Sequence, residues 1–251
     1  MKKWFAFTAI FFGSYFVFLV ATIPLAVLLN NINLPKNVSV GIASGTIWQG
    51  EINKVFVNNN EIEKINTELS FWSLLFFAPS IDVSFGDAML NGPEGKLTLT
   101  VSSSELSLND VELFLNANDI AQNLPLPIPA SAQGNVEIAL TELTLNTSNK
   151  LTCEYAQGQV SWIRASVNAL NYDIKVGSLK ADISCEDGDL LAKILPDNDL
   201  GVTLDTRLNL ATQKATGQGF VKPGPKFPAN LKQALTFLGR PDAQGQYRLR
   251  F

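Results

Sequence analysis

The chain has 251 residues, a formal net charge of −4, and 46% hydrophobic residues. This length allows one medium domain or two small ones, and the apolar content is sufficient for a folded core. The small acidic charge excludes a nucleic-acid-binding surface. The chain has no histidine, which excludes Ser-His-Asp and Cys-His catalysis and imidazole-based zinc sites, so neither an enzyme nor a cofactor or metal site is predicted.

The amino terminus predicts a membrane anchor within residues 1–30. From Trp4 to Leu29 the sequence WFAFTAIFFGSYFVFLVATIPLAVLL contains no charge, and it is longer than the ~20 residues that a spanning helix needs. Lys2 and Lys3 precede the run, so the positive-inside rule predicts a cytoplasmic amino terminus, with Trp4 at the interface. A cleavable signal peptide is the alternative, but its apolar region is usually only ~7–15 residues long.

Residues 43–50, ASGTIWQG, resemble a ligand loop because two glycines, Gly45 and Gly50, bracket Trp48. A phosphate-binding loop leads into a helix, whereas strand patterns follow this loop. The tripeptide AQG recurs three times before other strand patterns, with its glycines at Gly134, Gly158 and Gly245. The glycines are therefore predicted to shape turns or bulges, and Trp48 to pack beneath the first strand.

The run from Phe71 to Ile81, FWSLLFFAPSI, is too continuously apolar for a strand with one wet face. Two interpretations of Trp72, Phe76 and Phe77 stay open. They fill a core, as large aromatic residues usually do, or they form an exposed patch that docks another subunit or lies against lipid.

Beyond the anchor, several segments alternate apolar and polar residues, which indicates strands with one buried face. The clearest are GEINKVFVN, KLTLTVSSSELSL, VEIALTELTLNT, YDIKVGSLKADISC and GVTLDTRLNLAT. A sheet with one wet face is typically antiparallel. The predicted fold is mainly β, a curved antiparallel sheet with short helices near 71–77, 118–123 and 229–238.

Three prolines at alternate positions, Pro125, Pro127 and Pro129, predict an extended connection that no central strand can contain. We therefore divide the exported region into residues 31–124 and 125–251. A glycine precedes the first run of strands in each half, at Gly45 and at Gly134, which suggests that the two β-rich halves are related.

The two cysteines, Cys153 and Cys185, lack the C-x-x-C spacing of redox or metal sites. In an exported domain they predict one disulfide, with two separate buried thiols as the alternative. The acidic run ADISCEDGDLL around Cys185 does not follow the EF-hand pattern, so a solvated turn is predicted there and no metal site.

The anchor, SGTIWQG, LSFWSLLFFAPSIDVSFGDAML, CEYAQGQVSW, ISCEDGDL and PANLKQALTFLGRPDAQGQYRLRF occur in an order that resembles the type II secretion system protein N family. The resemblance covers nearly the whole chain. It implies a bitopic inner-membrane protein whose partners are other subunits of the machinery that moves folded proteins from the periplasm across the outer membrane. It also implies an accessory or assembly role.

Two functions follow from the sequence. The first is a non-catalytic assembly subunit that holds secretion components together through protein surfaces. The second is a lipid-binding or lipid-transfer module, because an antiparallel sheet with a continuous apolar face can hold an acyl chain.

Overall fold

The computed structural model describes residues 2–250 except 33, 36, 58–59, 88–91, 124–129, 170–171, 229–230, 233–234 and 236–237. Among these residues the α-helices are α1 (Lys2–Ala21), α2 (Leu25–Asn31), α3 (Phe71–Leu75) and α4 (Ala117–Asn123). Pro24, which has a fixed extended backbone, separates α1 from α2 and begins the second helix. Among the described residues, no helix has both the length and the apolar character that a membrane crossing requires.

The strands of the first part of the chain are β1 (Val38–Val40), β2 (Ala43–Gly45), β3 (Gln49–Val57), β4 (Asn60–Leu69), β5 (Ser80–Phe85), β6 (Glu94–Val101) and β7 (Glu105–Asn116). The later strands are β8 (Ala130–Asn146), β9 (Thr152–Ala169), β10 (Tyr172–Glu186), β11 (Asp189–Ile194), β12 (Val202–Asn209), β13 (Lys214–Val221) and β14 (Tyr247–Arg250). All of them belong to one antiparallel sheet, so the mainly β, antiparallel prediction is confirmed.

The strand order is a meander. From β3 to β14 each strand pairs with the next one along the chain, while β1 and β2 both pair with the free side of β3. Because successive strands are antiparallel, their connections need no crossover. The sheet therefore has two open edges, one near the amino-terminal helices and one at β14.

A change in the alternation along β8 marks a bulge. Apolar residues fall at even positions up to Leu140 and at odd positions from Leu143 onward. The pairing with β9 shifts register at the same place, between Leu140 and Glu142. One extra residue keeps the apolar side chains on the same face of the sheet.

The division between residues 124 and 125 stays a prediction, and the three prolines that suggested it lie outside the described residues. The sheet is continuous across this point, because β7 pairs with β8 from Glu105 opposite Asn146 to Asn116 opposite Asn135. Helices α3 and α4 lie where short helices were predicted. The third predicted helix, 229–238, falls largely outside the described residues.

Among the described residues, buried side chains form three small clusters rather than one large core. One lies under α2, one lies near the disulfide, and one lies where Phe227 and Leu235 pack against β12 to β14. No described side chain of large volume is fully buried. The 27.3 kDa chain exposes 17109 Å², whereas a compact monomer of that mass exposes roughly 11,000 Å². Much of the sheet is therefore a single layer.

Candidate functional site

The ASGTIWQG segment is the point where the amino-terminal helices join the sheet. The Ile47 amide donates a hydrogen bond to the carbonyl oxygen of Ile23 at 3.0 Å. The indole Nε1 of Trp48 donates to the carbonyl oxygen of Val20 at 2.9 Å. A carbonyl near a helix end has no partner within the helix, so Trp48 satisfies one that would otherwise need water. We call this contact between Val20–Pro24 and Thr46–Trp48 the junction.

The junction continues through Leu25 and Gly50. Leu25 is buried with Ile52 and Ile65 and is the main apolar contact of α2 with the sheet. A Cβ added at Gly50 would lie 2.3 Å from Cδ2 of Leu25 and 3.2 Å from the carbonyl oxygen of Thr46, so Leu25 would have to move. Gly50 therefore permits the close approach of α2.

The predicted turn glycines fall into two groups. Gly45, Gly134 and Gly245 have φ values of +80°, +98° and +75°, a region that favours glycine. Gly134 also coincides with a register shift between β8 and β9. Gly50 and Gly158 instead sit where packing is close, because a Cβ at Gly158 would lie 2.4 Å from the carbonyl oxygen of Ala139.

The sequence predicts that Trp48 packs beneath the first strand. The structure shows its contacts with α1 and with Phe71 instead. Trp48 is half-buried at the junction, and its ring lies 5.6 Å from the ring of Phe71 at the start of α3. The alternation pattern could not show this position, because the helix that Trp48 contacts precedes it by 28 residues.

The segment Phe71–Phe77 projects from the sheet beside the junction, and we call it the aromatic foot. Trp72 is 69% exposed, Phe76 79% and Phe77 88%, so these three side chains do not fill a core. A groove of about 670 Å³ lies between the foot and the end of α1. It is lined on the helix side by Phe16, Val17, Val20 and Ala21 and on the sheet side by residues that include Trp48, Leu69 and Phe71.

A continuous apolar row crosses the middle of the sheet, and we call it the open face. Residues directly opposite each other on paired strands project from the same side of a sheet. The row runs from β7 to β12 through Leu113, Ile138, Val160, Ala181, Ile194 and Leu204. Each of these residues is half-buried. Among the described helices, α4 has the most extensive contacts with these strands, beside β7 and β8.

The opposite side of the same strands is polar. Its clearest row comprises Lys96, Glu112, Ala139, Gln159, Asp182, Lys193, Asp205, Gln218 and Arg250. Lys96 and Glu112 form an ion pair at 3.1 Å, and Gln159 donates a hydrogen bond to Asp182 at 3.0 Å. One face is therefore adapted to water and the other is not.

The acidic turn around Cys185 is held by neighbouring cations and amides. Arg207 pairs with Glu186 and Asp187, and Asn209 donates a hydrogen bond to Asp189 at 2.8 Å. Within the described residues, no group of three or more acidic or cysteine side chains is arranged to hold a metal ion.

Two lysines on β3 and β4 have raised pKa values. Hydrogen bonds to Glu61 and then Glu63 raise the pKa of Lys54 above its usual 10.5. A hydrogen bond to Asp87 does the same for Lys64. Both lysines are solvent-exposed and stay charged at neutral pH, so they make structural ion pairs.

Cys153 and Cys185 form the predicted disulfide, with their Cα atoms 5.5 Å apart. It joins the start of β9 to the end of β10 in the cluster that contains Leu145 and Ala156. The side chains of Lys2 and Lys3 lie outside the described part of the chain, and the indole of Trp4 is exposed on α1.

The structure is one antiparallel sheet with an apolar row on one face and with the amino-terminal helices packed at its edge. A family model described as "Type II secretion system (T2SS), protein N" matches residues 36–250. The chain belongs to the type II secretion system protein N family, and the resemblance seen in the sequence is confirmed. It is therefore a component of that secretion system.

Three relatives named type II secretion system protein N match almost end to end. The protein of Aeromonas hydrophila is 27% identical over 254 residues, covering 100% of this chain and 98% of the relative. That of Vibrio cholerae is 26% identical, covering 98% and 97%. That of Pectobacterium carotovorum is 25% identical over 243 residues, covering 95% and 92%. No solved structure matches the chain.

Proposed function

We propose that the protein is a non-catalytic, inner-membrane-anchored component of the type II secretion system. Its amino terminus lies in the cytoplasm and its β-sheet in the periplasm. There the sheet binds other subunits and stabilises the machinery that exports folded proteins across the outer membrane.

The membrane anchor is supported by α1, in which residues 4–21 carry no charge. Side chains of α1 such as Phe7 and Phe16 are 73% and 66% exposed, and in water this would leave a large apolar surface unsatisfied. The disulfide supports a periplasmic sheet, because such bonds persist in oxidising compartments.

The observation that carries the binding role is the open face. Six half-buried apolar residues in register form a surface that the described helices leave largely uncovered, while the opposite face is charged. A row of apolar residues that stays partly exposed on a sheet is a candidate interaction surface. A subunit that packs on this row supplies the missing second layer of the sheet.

A lipid is the second candidate occupant of the same face. The row crosses six strands, and at a strand spacing of ~4.8 Å it is about 24 Å long. That length exceeds the hydrocarbon depth of one leaflet, about 15 Å, so an acyl chain would fit along it.

The binding role is tested by placing a charge on either face. Val160→Glu puts a carboxylate on the open face, whereas Ser161→Glu puts it on the polar face, opposite Glu137 and Lys180. We expect Val160→Glu to reduce secretion of an exported enzyme in cells that lack the natural protein. Ser161→Glu should support normal secretion.

Both variants must accumulate to the same level, which an immunoblot of membranes checks. Val160→Ser serves as a milder variant if the glutamate prevents folding. Normal secretion by a stably folded Val160→Glu protein would contradict the proposed role of the open face.

A further inference from the structure

The aromatic foot is an exposed apolar surface that the open face does not explain. No charged residue occurs between Glu68 and Asp82, and the foot lies in the middle of this interval. Phe76 and Phe77 are among the most exposed large apolar side chains described in the chain. In water this arrangement is unfavourable, so a specific contact must offset it.

The foot is braced so that its aromatic side chains point outward. Ser73 Oγ donates a hydrogen bond to the carbonyl oxygen of Ser70 at 2.6 Å and accepts one from the amide of Ser80 at 2.8 Å. Phe77 has a φ of +56°, a conformation that is costly for a bulky residue. Backbone strain of this kind is usually retained where function requires it.

The position of the foot along the axis of α1 is also fixed. Phe71 packs against Trp48, and Trp48 binds the carbonyl oxygen of Val20. Phe16 and Val17 line the groove that faces Phe71. The foot therefore lies beside the last two turns of α1.

If α1 spans the bilayer, this position along its axis lies at a membrane surface. Trp4 and Val20 are about 24 Å apart along a helix that rises ~1.5 Å per residue, and a hydrocarbon core is about 30 Å thick. With Trp4 at one interface, Val20 lies near the opposite one. Aromatic residues concentrate at these interfaces.

We propose that the aromatic foot inserts into the headgroup and acyl boundary of the phospholipid bilayer, on the periplasmic side and next to α1. This proposal rests on the proposed membrane anchoring of α1. The foot and α1 then hold the sheet at two points, which fixes its orientation relative to the membrane. Apolar side chains inserted at this depth are the means by which interfacial segments bind lipid.

The test uses a fluorescent bimane on a single new cysteine in the full-length protein. The native cysteines are joined in a disulfide, so only the introduced thiol reacts. Three variants are compared: Phe76→Cys in the foot, Phe12→Cys in α1 and Lys150→Cys in the exposed turn after β8. Each is reconstituted into phosphatidylethanolamine and phosphatidylglycerol vesicles, with and without bromine on the acyl chains.

Bromine quenches only a fluorophore that reaches the acyl region. We expect brominated lipid to reduce the fluorescence at Phe76 and Phe12 and to leave that at Lys150 unchanged. Quenching at Phe12 without quenching at Phe76 would contradict membrane insertion of the foot and would leave the proposed membrane anchor intact. Absence of quenching at both sites would overturn the anchor, and the foot with it. Trp72→Cys repeats the foot measurement at a second exposed position.

Discussion

Two regions of the sheet, its amino-terminal edge near the junction and its middle, illustrate different ways of stabilising one layer of strands. Near the junction, β3, β4 and β5 have 9, 10 and 6 residues, and α2 covers them through Leu25. In the middle, β8, β9 and β10 have 17, 18 and 15 residues, and a disulfide ties the last two together. The shorter strands are stabilised by packing against a helix. The longer strands are joined by a disulfide, and the described helices leave one of their faces largely uncovered.

The largest effect is expected from removing the crosslink of the central strands. The disulfide closes a loop with a sequence separation of 32, so Cys153→Ser with Cys185→Ser should lower the free energy of unfolding by about 3–4 kcal/mol. Urea unfolding of the reconstituted protein, followed by circular dichroism, measures this loss. A reductant should then have no further effect on the double variant. An unchanged urea midpoint would mean that the long ladders do not need the crosslink.

At the junction the corresponding loss comes from the covering helix. Leu25→Ala removes a buried side chain that contacts Ile52 and Ile65, and we expect a loss of about 3 kcal/mol. Leu25→Met keeps most of the volume and should cost about 1 kcal/mol or less. The Leu25→Ala effect should add to that of the disulfide variant, because the two clusters share no residue. Strong coupling would show that the two regions are not independent.

The smallest effect concerns one hydrogen bond of the junction. Trp48→Phe keeps an aromatic ring against Phe71 but removes the donor to the carbonyl oxygen of Val20, a loss of about 1 kcal/mol. Trp162→Phe is the matched control, since its indole donates to the carbonyl oxygen of Gln133 at 3.0 Å in the central strands. Only Trp48→Phe should speed proteolysis between α1 and the sheet. Equal cleavage of both variants would contradict a specific role for Trp48.

Much of the sheet could be predicted because strand alternation is local information. The alternation along β8 indicates which side chains share a face. The short helices α3 and α4 were also predicted close to where they lie. These features depend only on neighbours along the chain.

The sites could not be predicted in the same way. Trp48 binds a helix that precedes it by 28 residues, and Gly50 lies against the side chain of Leu25. Neither contact has a sequence pattern. Alternation shows which face is apolar but does not show whether another layer covers it. The open face could therefore be recognised only from the strand pairing in the structure. The exposure of Phe76 and Phe77 was left open for the same reason.

We expect the open face to bind a subunit of the secretion machinery, and photocrosslinking in living cells measures this most directly. A photocrosslinking amino acid is placed at Ile138 on this face, or at Glu137 on the opposite face. Ile138 should capture a type II secretion protein, identified by mass spectrometry, and Glu137 should not. Crosslinks from Ile138 to phospholipid alone would support the lipid-binding alternative, and equal capture from both faces would contradict binding through the open face.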